Sequence, residues 1–221
     1  MMNINYDKEF EKVKSGIDKS APPRLLLHVC CAPCATYCLT RLLDAFDVTL
    51  YYANDNITDS AEFDKRLQQV VKLVEIVNTG KFEVQSIAPL KLVVQPQNAE
   101  RFFAVAKGLE QQPEGGARCE KCFNLRLTDA RDYAEKNGYH YFATTLTVSP
   151  YKNSQLLNAI GIGLQTEQLK WLVADFKKQN GYNESIRLSQ KYDLYRQHYC
   201  GCASSAGQVG SCEKQTSSLG W

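Results

Sequence analysis

Short apolar segments alternate along the chain with longer polar or amphipathic segments. The apolar segments that we predict as strands span residues 25–29, 48–53, 82–87, 140–146 and 171–173. The first of them is apolar at every position except His28, as is typical of a strand buried on both faces of a parallel sheet. The segments between them are long enough for crossover helices. The pattern therefore predicts an α/β fold, with a parallel sheet and flanking helices.

Two of the intervening segments have the pattern of amphipathic helices. In residues 60–78, apolar side chains recur every three or four positions, and Gly80 predicts the end of that helix. A second helix is predicted from residue 99 to about residue 109, and a loop rich in helix-breaking residues follows it.

Composition limits the number of domains and the class of protein. A chain of 221 residues, 44% hydrophobic and 23% charged, can bury one substantial core. We expect residues 1–23 to form a helical lead-in and linker, residues 24–202 a single catalytic domain, and residues 203–221 a flexible tail. The charged start and the lack of a run of roughly 20 apolar residues predict a cytoplasmic protein without a membrane span. The net charge of +2 does not by itself indicate a nucleic-acid binder.

The chain has nine cysteines, which in a reducing compartment favour metal binding or redox chemistry over structural disulfides. Seven of them fall into three groups, which are Cys30-Cys31-Ala32-Pro33-Cys34, Cys119-Glu120-Lys121-Cys122 and Cys200-Gly201-Cys202. We expect Cys38 to be a small core residue and Cys212 to be an exposed thiol. His28, inside the first strand, is expected to be a hydrogen-bonded core histidine.

The first cysteine group directly follows the first predicted strand, at the sheet edge where doubly wound folds bind ligands. Cys119 and Cys122 lie three residues apart at the predicted start of a helix, so their sulfurs share a face. The helix dipole and Arg118 would favour thiolates there. The pairs Cys30/Cys31 and Cys119/Cys122 would supply the four sulfurs of an iron–sulfur cubane or of a zinc site. Ligand type alone leaves iron and zinc open.

Five motifs occur in order along the chain: HVCCAPC at 28–34, GLE at 108–110 continuing through EGGARCEKC at 114–122 with Arg126, TLTVSPYKN at 145–153, DFKKQNGY at 175–182, and LYRQHYCGC at 194–202. Over about residues 24–202 this set closely resembles the epoxyqueuosine reductase family QueH. The resemblance implies reduction of the epoxide of epoxyqueuosine, at the wobble position of a tRNA anticodon, to the alkene of queuosine. It also implies a [4Fe–4S] cluster, a neighbouring mononuclear iron, and a sheet like that of adenine nucleotide α-hydrolase-like (HUP) proteins with extra helices that carry the cysteine motifs.

Removing an epoxide oxygen as water needs two electrons and two protons, whereas a cubane passes electrons singly. A second metal centre nearby is therefore chemically sensible. The predicted cluster ligands are Cys30, Cys31, Cys119 and Cys122. We expect Cys34, with Cys200 or Cys202, to contribute to the second metal. A second interpretation makes Cys200 and Cys202 a redox dithiol without metal.

The remaining candidate site residues lie in loops that follow strands or lead to Cys200. Tyr151 and Lys152 would deliver a proton or bind a phosphate, and they complete the candidate catalytic set with Cys34, Cys200 and Cys202. The residues predicted to contact tRNA phosphates are Lys152, Lys177, Lys178, Arg187 and Arg196, with neighbouring tyrosines to stack unpaired bases. We expect salt-sensitive binding of micromolar class. The electron donor is left unidentified.

Two other classes of protein are compatible with parts of this pattern. In a zinc-stabilised tRNA-binding module the cysteines would be purely structural. An ATP-dependent tRNA-modifying enzyme would use the same sheet, but no Ser-Gly-Gly-x-Asp-Ser-like phosphate loop follows Val29.

Overall fold

The computed structural model describes residues 4–206, and a parallel five-stranded sheet lies at its centre. The strands are β1 (Arg24–His28), β2 (Asp47–Tyr52), β3 (Lys91–Val94), β4 (Tyr141–Thr144) and β5 (Lys170–Trp171). Their spatial order is β3-β2-β1-β4-β5, and all neighbouring pairs are parallel. The predicted parallel α/β fold is confirmed. Because the chain adds strands on both sides of β1, the ligand-binding crevice of this topology lies beyond the carboxyl ends of β1 and β4.

Helices cover the sheet. They are α1 (Tyr6–Ser15), α2 (Ala32–Leu42), α3 (Ser60–Asn78), α4 (Ala99–Ala106), α5 (Ala117–Lys136), α6 (Ser154–Leu164), α7 (Gly181–Lys191) and the short α8 (Ala203–Ala206). The prediction for α3 is confirmed at both ends. The Asp59 side chain caps its first turn by accepting from the backbone N–H groups of residues 61 and 62, and Gly80 follows with φ +72°.

The third strand was predicted in the wrong place. Residues 82–87 form no strand, and Phe82 is buried there by stacking on Tyr192 at 5.4 Å between ring centroids. The actual third strand, β3, pairs only with β2 and leaves its side chains partly exposed. An edge strand of this kind lacks the continuous apolar pattern that marks a buried one.

Three other predicted elements are shorter than expected. The predicted strand at 140–146 divides into β4 and a 3₁₀ turn at Thr145–Val148, and β5 has only two residues. Helix α4 ends at Ala106, since Lys107 is extended and Gly108 takes φ +80°.

Both ends of the described chain pack against the domain. In α1, Phe10 is fully buried and contacts the ring of Phe176 edge-on at 5.5 Å. Residues Ala203–Ala206 of the predicted tail form α8, in which Ser205 is buried. Residues 207–221, including Cys212, lie outside the described residues. No helix among residues 4–206 is both long enough and apolar enough to cross a membrane.

Candidate metal centre

The loop after β1 gathers three thiols at the start of α2. Cys31 is the extended residue that precedes the helix, and Pro33 and Cys34 lie in its first turn. The sulfurs of Cys30, Cys31 and Cys34 all lie within 4.8 Å of one another, and those of Cys30 and Cys31 are 3.7 Å apart. Thiolates about 2.3 Å from one tetrahedral ion are separated by about 3.8 Å. These three cysteines can therefore hold a single metal ion.

A second group of cysteines lines one pocket beside this triad. Cys119 and Cys122 project from the first turns of α5, as predicted, and Cys200 and Cys202 come from the segment after α7. The other residues around this pocket are Asn56, Phe102, Glu114, Arg118, Phe123 and Ser205. The structure thus groups Cys119 and Cys122 with the Cys200–Cys202 segment, and Cys30 and Cys31 with Cys34.

The Cys200–Cys202 segment is held by bonds to its backbone carbonyls. The buried guanidinium of Arg66 donates to the carbonyls of Cys200 at 3.1 Å and of Tyr199 at 3.2 Å, and the N–H of Thr58 donates to that of Gly201 at 3.3 Å. In turn, Arg66 is paired with the Glu62 carboxylate at 2.7 Å. These bonds fix the position of two candidate metal ligands from outside the pocket.

One side chain connects the two cysteine groups directly. The Nε2 of Gln197 donates to the sulfur of Cys31 at 2.9 Å, so the segment that leads to Cys200 contacts the triad. Hydrogen bonds from Cys31 and Cys34 hold the pKa of Cys30 well below its usual range. Hydrogen bonds with Cys30 and Cys31 raise the pKa of Cys34. The triad is therefore arranged around one thiolate sulfur, which is the form that metals bind.

The thiols on α5 are in a different electrostatic state. Burial raises the pKa of Cys122 to about 12 and that of Cys119 above its usual value, although the Gly115 N–H donates to Cys119 Sγ at 3.2 Å. The prediction that the helix start and Arg118 would favour thiolates here is wrong when only the groups of the protein act on the two thiols. Burial raises their pKa values more than the helix start and Arg118 lower them. A bound metal ion would have to displace these protons.

A buried cation lies between the two cysteine groups. Arg126, 2% exposed, donates to Asn54 Oδ1 at 2.6 Å and to His28 Nε2 at 3.3 Å. Burial opposes its charge, but its interactions with the nearby sulfurs of Cys122 and Cys30 raise its pKa. Burial and this guanidinium lower the pKa of His28 to about 3, so its ring is neutral. The expectation of a hydrogen-bonded core histidine is confirmed.

Lys152 faces both cysteine groups, as expected for a site residue. Its side chain is 12% exposed, and its Nζ lies 4.0 Å from Glu114 Oε1. Burial opposes its charge, yet its interactions with the sulfurs of Cys200 and Cys30 and with the Glu114 carboxylate raise its pKa. The neighbouring Tyr151 is 48% exposed, at the surface of the same loop.

Two of the predicted tRNA contacts are neutralised by carboxylates of the protein. The Nζ of Lys177 lies 3.1 Å from Asp175 Oδ1. The Arg187 guanidinium is 2.8 Å from both Glu83 and Glu184. Phosphate binding by these two residues would compete with existing ion pairs.

The other two predicted cations are placed differently. Arg196 lies over the ring of Tyr182, at 5.2 Å from guanidinium carbon to ring centroid, and Lys65 similarly lies 3.6 Å from the ring centre of Tyr195. Lys178 is exposed, and no carboxylate partner for it is found among the described residues. The predicted basic residues therefore do not form one continuous patch around the cysteines.

The sequence predicts only an electrostatic role for Arg118 and none for Arg126, although both buried arginines of α5 belong to one of the five motifs. Arg118, Cys122 and Arg126 recur every four residues and form one buried stripe of the helix. Two arginines in such a stripe are unusual, because arginine is rarely buried without a partner. That spacing is the feature of the sequence that could have indicated a role for both arginines. No such feature marks Gln197, since only the fold brings it to Cys31.

Comparisons with known proteins agree on one family. A family model described as "Epoxyqueuosine reductase QueH" matches residues 25–208. A relative of that name from Streptococcus pyogenes serotype M1 is 39% identical over 209 residues, which cover 94% of this chain and 80% of the relative. Another, from Staphylococcus epidermidis, is 38% identical, with 96% and 89% covered. A third, from Thermotoga maritima, is 31% identical, with 82% and 89% covered.

Proposed function

This chain belongs to the epoxyqueuosine reductase QueH family and is an epoxyqueuosine reductase, and we propose that its substrate is epoxyqueuosine within a tRNA anticodon. In this reaction both C–O bonds of the epoxide break, a C=C bond forms, and the oxygen leaves as water. The reaction therefore consumes two protons, and it also consumes two electrons that come from an external low-potential reductant. The observation that supports this function is the convergence of seven cysteines at one edge of the sheet, all within the matched residues.

The grouping of the sulfurs favours a division of ligands that differs from the sequence-based hypothesis. The pocket lined by Cys119, Cys122, Cys200 and Cys202 has the four thiols that a [4Fe–4S] cluster requires. It also includes the cation Arg118, whose Nε and Nη2 are buried without a hydrogen-bond partner among the described residues, so the pocket suits an anionic group. When bound, the cluster would supply single electrons and a neighbouring iron would act as a Lewis acid.

The triad of Cys30, Cys31 and Cys34 would hold that second metal. Its 3.7 Å spacing suits one ion, and the low pKa of Cys30 provides a thiolate without a base. A triad leaves the fourth position of a tetrahedral ion for a ligand other than these cysteines, which is the arrangement of catalytic metal sites. A metal held by these residues would supply Lewis-acid polarisation of the epoxide oxygen.

Lys152 is the proposed proton donor to the departing oxygen. Its amine is protonated and buried beside both cysteine groups, and Glu114, whose side chain is 34% exposed, connects it to solvent. Arg126 would hold the charge of the site constant, since its guanidinium cannot deprotonate in proteins. Tyr151 is proposed to contact the substrate at the pocket entrance.

The experiment is epoxide reduction by the anaerobically reconstituted protein with an excess of chemical reductant and epoxyqueuosine-containing tRNA. Nucleoside mass spectrometry should show the loss of one oxygen. The Cys202→Ser variant should lose about four irons per chain and the broad visible absorption, whereas Cys34→Ser should lose about one iron and keep that absorption. Both should lose alkene formation, and Cys212→Ser should match the wild-type protein.

Two other results would contradict the proposal. A colourless protein that contains zinc and does not reduce the epoxide would favour a structural metal site. A Cys202→Ser variant that keeps the full iron content, combined with a disulfide between Cys200 and Cys202 in the oxidised wild type, would favour the redox dithiol.

A further inference from the structure

Arg118 has an incomplete set of partners although it is almost fully buried. It lies in the first turn of α5 and is 1% exposed. Its Nη1 donates to the carbonyls of Glu110 and Gln112, both at 2.7 Å. Its Nε and Nη2 are buried and find no hydrogen-bond acceptor among the residues described. One side of the guanidinium therefore holds the preceding loop, and the other side donates to no acceptor among the described residues.

A buried donor without an acceptor is costly. Each one destabilises a folded protein, and a charged donor does so more than a neutral one. Proteins retain such a group when a ligand completes it. Arg118 lines the pocket of Cys119, Cys122, Cys200 and Cys202, so the sulfur atoms of these cysteines are candidate acceptors.

We propose that Arg118 donates from Nε and Nη2 to the sulfurs of the centre held by these four cysteines, retains that centre, and raises its reduction potential. The inference rests on the proposed cofactor. Four thiolates around an iron–sulfur core give the oxidised group a net negative charge, and reduction adds one more. A fixed positive charge with two N–H donors stabilises the reduced state more than the oxidised state. Arg118 is thus a positioning residue and does not touch the epoxide.

Arg126 differs from Arg118 in how its donors are used. Its guanidinium already donates to Asn54 and His28, and Cys122 adds a further contact. Removing it would take one hydrogen-bond partner from each of His28 and Asn54 and a buried charge from the core, so its loss would change folding and electrostatics together. Arg118 has two donors that no described residue accepts from, so its replacement is the clearer test of a contact with the sulfurs.

The chain offers a matched control at the opposite end of the sheet. Arg24 also donates through Nη1 to two loop carbonyls, those of Asn137 at 2.9 Å and Gly138 at 3.3 Å. It lies at the start of β1, whereas the cysteines lie beyond its end. Arg24→Gln removes the same kind of loop contact without a change near the sulfurs.

The test compares Arg118→Gln, Arg118→Lys and Arg24→Gln with the wild type after anaerobic reconstitution. Iron and sulfide per chain, the unfolding midpoint before reconstitution, and the midpoint potential from a spectroscopic redox titration are measured. At the wild-type midpoint, the ratio of reduced to oxidised centre should fall about tenfold in Arg118→Gln, a shift of about 59 mV to more negative potential. Arg118→Lys should shift less, and Arg24→Gln should not shift.

The outcomes separate this inference from the proposed function. A wild type that binds no iron and sulfide would refute the cofactor and the inference with it. A wild type that binds them, together with an Arg118→Gln protein of unchanged potential and iron content, would refute only the role of Arg118. Lower stability of Arg118→Gln before reconstitution, with a wild-type potential after it, would mean that Arg118 serves the loop alone, and this too would overturn the inference.

Discussion

At the scale of single residues, the position of Cys200 and Cys202 depends on the glycine between them. Gly201 has φ +125°, a conformation that residues with a Cβ rarely adopt. A Cβ at this position would also lie 2.8 Å from Cγ1 of Ile57. The one-residue spacer therefore sets the direction of both sulfurs, because no other residue fits there.

Replacing this glycine should disturb the site more than the fold. We expect Gly201→Ala to cost about 1–3 kcal/mol in local strain and to lower iron retention severalfold, since the two sulfurs would move. Iron content after desalting and the thermal unfolding midpoint measure the two effects. Gly80→Ala is the control, because Gly80 also has positive φ but has nothing within 4 Å of its Cβ position. Equal iron loss in both variants would contradict the prediction.

The cysteines are recognisable from the sequence as candidate metal ligands, but their division into two groups is not. Cys30, Cys31 and Cys34 are close in the chain, and their short separation fixes their grouping. Cys119 and Cys200 are 81 positions apart in the numbering, and their proximity depends on Arg66 holding the later segment. That contact is a property of the fold, so residue spacing alone cannot reveal it.

At the scale of elements, helix α7 is held to the segment 82–87 by a cluster of charges. The carboxylate of Glu83 lies 2.8 Å from both Arg187 and Lys191 of α7. Hydrogen bonds from Arg187 and then Lys191 lower the pKa of Glu83 to about 2. The apolar side chains that indicated a strand at 82–87 instead reflect packing near α7, where Phe82 stacks on Tyr192.

This cluster should stabilise the protein in a pH-dependent way. Because the folded pKa is depressed from 4.5, the contribution is complete above about pH 4.5 and is lost as the pH falls toward about 2. We expect Glu83→Gln to lower the free energy of unfolding by about 1 kcal/mol at pH 7, a value reduced for solvent screening. The difference from wild type, measured by denaturant titration, should narrow as the pH is lowered.

The control for that measurement is Glu75→Gln. Glu75 is exposed on α3 and forms no ion pair with another described residue, so this variant should match the wild type at every pH. A constant difference between Glu83→Gln and wild type from pH 7 to pH 3 would contradict the electrostatic origin of the effect.

At the scale of the whole molecule, the charge balance constrains how the protein meets tRNA. The net charge is only +2, and part of the positive charge is already paired with carboxylates. Lys178 is exposed beyond β5, whereas Arg187 is held by Glu83 and Glu184. Lys178 and Arg187 have the same formal charge, and only the structure shows which of them is available to bind a phosphate.

Substitution of these two cations should therefore have unequal effects on tRNA binding. Each phosphate contact releases counterions, so losing one lowers the slope of log Kd against log salt by about 1. We expect Lys178→Gln to weaken binding and reduce the slope by this amount, since its ammonium is free to contact phosphate. Arg187→Gln should change the slope much less, because a phosphate would first have to displace two carboxylates. Fluorescence anisotropy across a salt series measures both, and a larger slope change for Arg187→Gln would move the proposed tRNA surface to α7.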